Sequence, residues 1–110
     1  MRSATKNRIG RDAAYVAFIR SQPCCVCLRW KMKQTTRTEV AHIGLRGLSQ
    51  KSPDRETIAL CSLHHRTGST SHHRLGVRFF RFHGLNREIM VAHYQDSFKQ
   101  DDGKGPWWDA

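Results

Sequence analysis

The stretch LCSLHHRTGSTSHH, residues 60–73, carries four of the chain's seven histidines as two adjacent pairs, together with one of its four cysteines. A hydrophobic core does not call for such a concentration of metal-binding side chains. Their meaning depends on what lies upstream. Cys24 and Cys27 form a C-x-x-C pair, and Cys61 and His64 form a C-x-x-H pair. Two half-sites of this kind make a tetrahedral Cys3His zinc site. A tight knuckle at CCVC points both thiolates of the first pair at one ion. At a strand-to-helix junction, side chains at i and i+3 share a face and complete the tetrahedron. Cys25 is left over; it could replace Cys24, although the C-x-x-C spacing favours Cys24.

The 110-residue chain has the length of one small domain, and its hydrophobic fraction of 38% and mean hydropathy of −0.64 describe a lean core. A structural zinc suits such a chain, because its binding energy becomes folding energy. Nineteen Lys and Arg against nine Asp and Glu give a formal net charge of +10, spread along the sequence. A polyanion is the natural partner, and nucleic acid the one expected. No apolar run approaches the roughly 20 residues that span a bilayer. The N-terminal segment lacks the apolar stretch of a signal peptide; its Arg-rich, acid-poor character fits a transit peptide less well than an ordinary first helix. Without a sign of export, the cysteines read as metal ligands rather than disulfides.

The pattern divides into a flexible basic arm (1–10), one domain (11–98) and a loosely ordered tail (99–110). Residues 12–20 predict a helix capped by Asp12, with Ala14, Tyr15, Phe18 and Ile19 as its apolar stripe, ended by Pro23. RTEVAHI (37–43) and TIAL (57–60) read as strands joined by a Gly- and Pro-containing loop (44–56). A helix is expected from about Ser62, broken by TGSTS. A further helix is expected over 74–84, with Leu75, Phe79, Phe80 and Phe82 facing the core. Asn86 reads as the N-cap of a last helix running to about Ser97, with Leu85 and Met90 as its hydrophobic staple.

With His64 assigned to zinc, His65 must face elsewhere, since neighbours on a helix point about 100° apart. His42, at the end of the first strand, is the candidate to meet it. The order C-x-x-C, AHI, Gly-rich loop, Asp54, then LC-x-x-HH resembles the HNH nucleases of the His-Me finger (ββα-metal) superfamily. The likeness covers about residues 22–85 and is nearest to small nucleases encoded by phages and prophages.

The resemblance implies an α+β fold: a small zinc-stapled ββα-metal domain with flanking helices. It implies a metal-dependent endonuclease acting on DNA in the cytoplasm of a bacterial or phage-infected cell. His42 would be the general base, and Asp54 would orient the loop or His42. Mg²⁺ or another divalent cation would be bound by His65 and His73. Two positions depart from the pattern: Ala41 stands where a metal-binding Asp or His often precedes the base, and Ser69 stands where a second helix ligand often falls. For His73 to join His65, the TGSTS break must fold back. Glu39 shares a strand face with Ala41 rather than with His42, and is a weaker alternative ligand. His72 reads as a solvated surface residue. His83 and His93 read as surface or core-edge residues, and Trp107 and Trp108 as packed against the body or disordered. A second reading is a non-catalytic zinc module that binds nucleic acid; a third is a protein-interaction zinc finger, which the charge disfavours.

Overall fold

A computed structural model describes residues 11–43 and 53–100. The basic arm, most of the expected loop, and the tail with Trp107 and Trp108 lie outside the described residues. Helix α1 (Ala13–Arg20) begins where the sequence predicts it. Asp12 is extended, and its side chain accepts a hydrogen bond from the Tyr15 amide at 3.1 Å. Its buried face is Tyr15 and Ile19, with Phe18 half-buried; Ala14, expected in the stripe, is exposed.

The expected knuckle is the start of a short helix, α2 (Cys25–Arg29), with Cys24 at its N-cap. Gln34 fixes that cap. Its Oε1 accepts from the Cys24 amide at 2.7 Å, and its Nε2 donates to the Thr36 carbonyl and to Thr38 Oγ1. The first half-site is thereby tied to the strand that follows.

Strands β1 (Thr38–His42) and β2 (Thr57–Cys61) pair antiparallel, with Thr38 opposite Cys61 and His42 opposite Thr57. Hydrogen bonds from the Ser62 amide to the Arg37 carbonyl and from the Ile43 amide to the Glu56 carbonyl extend the ladder at both ends. Every residue of β2 is buried, while β1 ends in an exposed His42. Among the described residues β1 pairs only with β2, so its other edge is free.

After β2 comes a π-helical turn, Leu63–Thr67, instead of a regular helix. Its closing bond runs from the Gly68 amide to the Leu63 carbonyl at 2.8 Å. A Cβ at position 68 would lie 2.7 Å from that oxygen, so the close approach requires glycine. Wide turns of this kind recur where a helix must re-aim side chains.

The chain then folds back through a buried Ser71. Its Oγ donates to the Arg66 carbonyl and accepts from the Arg74 amide, capping α3 (His72–Leu75). The helix expected over 74–84 is interrupted. Gly76, at φ +60°, starts a 3₁₀ turn to Arg78, and α4 (Phe79–His83) follows. Phe79 and Phe80 are buried and Leu75 is half-buried as expected, but Phe82 is 61% exposed and is no core residue. The broken helix changes the rotation between Leu75 and Phe82, which explains the error.

Gly84, left-handed at φ +70°, ends α4. Asn86 caps α5 (Arg87–Gln100) through a 2.9 Å bond from the Ile89 amide, and Met90 is buried beside a half-buried Leu85. The helix outlasts its expected end at Ser97. Phe98 packs edge-on against Tyr15 and Phe18 and joins α5 to α1. The result is a mixed α+β unit: a two-stranded sheet whose inner strand is enclosed by helices. Among the described residues no helix is long and apolar enough to cross a membrane.

Candidate metal centre and the histidines around it

Cys24, Cys27, Cys61 and His64 are all buried, and their ligating atoms lie within 4.8 Å of one another. His64 Nδ1 is 3.6 Å from Cys24 Sγ, 3.7 Å from Cys27 Sγ and 3.3 Å from Cys61 Sγ. A tetrahedral ion with Zn–S near 2.3 Å and Zn–N near 2.0–2.1 Å would have N–S edges of about 3.5 Å. The four side chains therefore match the donor set and size of a metal such as zinc. Burial lowers the pKa of His64, helped by the charge of nearby His83, which favours the neutral, ligating ring. Burial also pushes the Cys24 and Cys27 thiols up, so a bound cation must offset their deprotonation. No disulfide forms among the four cysteines.

Cys25 points away from this cluster. It is fully buried and hydrogen-bonded with Tyr94 of α5, and burial raises its pKa well above the ordinary value. The choice of Cys24 over Cys25 thus follows from the helix-cap position, which turns adjacent side chains in different directions.

His42 and Asp54 meet at the end of β1. His42 Nε2 lies 2.9 Å from Asp54 Oδ1. Asp54 Oδ2 accepts a 2.7 Å bond from the Asp12 amide. Burial pushes the Asp54 carboxyl up, but the His42 and Asp12 hydrogen bonds and the charges of His42 and Arg11 outweigh it, and its net pKa is lowered. An ionised carboxylate only accepts, so Nε2 carries the proton, and the lone pair of the neutral ring falls on Nδ1.

His65 faces away from the metal cluster, as its adjacency to His64 predicts. Its Nδ1 is 2.8 Å from Glu39 Oε1, and Arg66 closes a two-pronged ion pair on the same carboxylate. The Arg66 hydrogen bond, opposed by burial and aided by His65, holds the Glu39 pKa at about 2. Glu39 therefore fixes His65 with its Nε2 unprotonated, the arrangement by which carboxylates orient metal-binding histidines. The fold-back at Ser71 brings the His73 ring to 4.7 Å from that of His65, edge-on. Among the described residues no third His, Cys, Asp or Glu converges with this pair, and His42 does not join it in a ligand cluster.

His72 is not a solvated residue. It is half-buried, stacked edge-on against Phe79 at 5.3 Å and Phe80 at 5.8 Å. Burial, then the charges of His65 and His73, lower its pKa to about 4. His83 is buried, with Nε2 donating to the Thr70 carbonyl and its ring on Phe79. His93 is half-buried on α5. Sequence reasoning missed Gln34 and the Asp12–Asp54 link, because neither has a local signature. It also did not find the pairing of Glu39 with His65 and Arg66.

Both Glu39 and the His42–Asp54 pair border one groove between α1 and the free edge of β1. Comparison of the chain with protein-family models, with curated proteins and with solved structures finds no match in any of the three.

Proposed function

We propose that the protein is a metal-dependent endonuclease, cutting phosphodiester bonds of DNA with His42 as general base. The observation that carries this reading is the His42–Asp54 pair: an exposed histidine at a strand end, oriented by a buried carboxylate, above a hairpin held by a metal-sized Cys3His cluster. Asp54 keeps the proton on Nε2, so Nδ1 is free to take a proton from water. The hydroxide attacks phosphorus in line with the 3′ oxygen, the P–O3′ bond breaks and the 3′ oxygen takes a proton from water, while the protonated His42 is stabilised by Asp54.

A structural zinc would occupy Cys24, Cys27, Cys61 and His64. A divalent cation such as Mg²⁺, held by His65 and His73, would supply charge stabilisation at the phosphate. The orientation of His65 by Glu39 and the approach of His73 fit that role. With Ala41 and Ser69 offering no ligand, substrate oxygens and water must fill most of its shell. A plasmid cleavage assay with Mg²⁺ or Mn²⁺ tests the reading: the parent cuts, His42→Ala does not.

The absence of a third converging ligand beside His65 and His73, among the described residues, favours a second reading: a zinc module that binds nucleic acid without cutting it. In that case the parent retains DNA binding and shows no metal-dependent cleavage.

A further inference from the structure

The groove beside His42 has a volume of about 650 Å³ and an uneven distribution of charge. Arg11, Arg20 and Arg37 line it, with Val16 and Val40 between them. All three arginines are exposed, and none forms an ion pair or hydrogen bond through its guanidinium among the described residues, although the Arg11 charge acts on nearby Asp54. The two acids of the lining are already engaged: Glu39 by Arg66 and His65, and Asp54 by His42 and the Asp12 amide. The charge left uncommitted is therefore positive.

We propose that this groove is the track for the sugar–phosphate backbone of the nucleic-acid strand, held by Arg11, Arg20 and Arg37 without regard to base sequence. The placement of the cut strand beside His42 rests on the nuclease reading above. Three features carry the proposal. First, the lining offers three guanidinium groups, aliphatic side chains and a threonine, and apart from His42 no aromatic ring to stack a base. Guanidinium groups along an exposed groove suit phosphate oxygens, contacts that position a strand without reading its sequence.

Second, Arg11 and Arg20 stand at opposite ends of α1, whose eight residues span about 12 Å. Spaced in this way along the groove, they suit successive phosphates of one strand. Third, one carboxylate sets the register. Asp54 binds the His42 ring through one oxygen and the amide at the start of α1 through the other. The arginine rim is thus held in fixed relation to the general base, a preorganisation an incidental basic patch would not need.

The test uses His42→Ala protein, which binds without cutting, and labelled oligonucleotides of two unrelated sequences over a salt series. Arg20→Ala and Arg37→Ala are each expected to weaken both sequences by the same factor, and to flatten the log affinity against log salt slope by about 0.7–0.9. Arg20→Lys should keep the parent slope. An unchanged slope in both alanine variants overturns the track, as does a loss confined to one sequence. Displacement by polyglutamate as efficient as by an oligonucleotide of equal charge overturns it too, in favour of an acidic protein partner. If the slopes change as expected but the parent never cleaves, the nuclease reading fails and the binding track stands. If the parent cleaves and the slopes do not move, the track alone fails.

Discussion

His42 Nε2 and Asp54 Oδ1 lie 2.9 Å apart although twelve positions separate them in sequence. The same carboxylate takes the Asp12 amide on its other oxygen, so it joins the end of β1 to the start of α1. Asp54→Asn keeps the shape but must present an amide N–H to one of two donors. The expected outcome is a His42 held in the wrong tautomer, with cleavage down by about 10²–10⁴-fold and DNA affinity unchanged. Stability should also drop, because two hydrogen bonds to a charged acceptor become neutral ones. Cleavage within a few-fold of the parent would remove Asp54 from any orienting role.

The same pair predicts a pH dependence. The Asp54 pKa is lowered in the fold, so its stabilisation is present above the ordinary aspartate value near 3.9 and is lost as pH falls through its folded value. Thermal melts of the parent and of Asp54→Asn should therefore differ at neutral pH and converge in acid. A gap that stays constant down the acid limb would show that the carboxylate's charge contributes nothing.

Adjacent histidines should behave differently. His64→Ala removes one of four converging ligands; the expected result is less than one tightly bound zinc per chain and a lowered melting temperature. His65→Ala leaves that cluster intact, so zinc content should stay at one per chain while metal-dependent cleavage falls. Metal analysis beside melting curves separates the two. Equal zinc loss in both variants would contradict the separation of the sites.

Cys24 and Cys25 offer a similar contrast. Cys24→Ser should lose zinc. Cys25→Ser should retain it, because that side chain is buried against Tyr94 and is outside the ligand cluster. Chelation should unfold the parent or steeply lower its melting temperature. Full zinc occupancy in Cys24→Ser would reverse the assignment.

In the second histidine pair the two partners also differ. His72 packs on Phe79 and Phe80, so His72→Ala should lower stability by about 1–2 kcal/mol, measurable in urea melts, through lost ring contacts. His73 is exposed, and His73→Ala should leave the melt unchanged while weakening cleavage. A silent His72→Ala would mean that its ring contacts add nothing to the fold.

Features that rest on local pattern were legible in the sequence. Asp12 and Asn86 announced two helix starts because capping is decided within one turn. The β-branched character of RTEVAHI (37–43) and the short run TIAL (57–60) pointed to the two strands that pair as a hairpin. Two short half-sites gave the four converging ligands, since spacing of ligands along the chain constrains where they point. Other features depend on long-range packing. Whether 74–84 stays one helix depended on Gly76 taking a left-handed φ, and so the exposure of Phe82 could not be read from periodicity. That His72 is the buried member of its pair, and His73 the one beside His65, follows from the fold-back at Ser71 and the π-turn closed on Gly68. Above all, the bond from the Asp12 amide to Asp54 joins two segments far apart in the chain. Long-range hydrogen bonds of this kind have no sequence period; they exist only once packing has brought their donors and acceptors together.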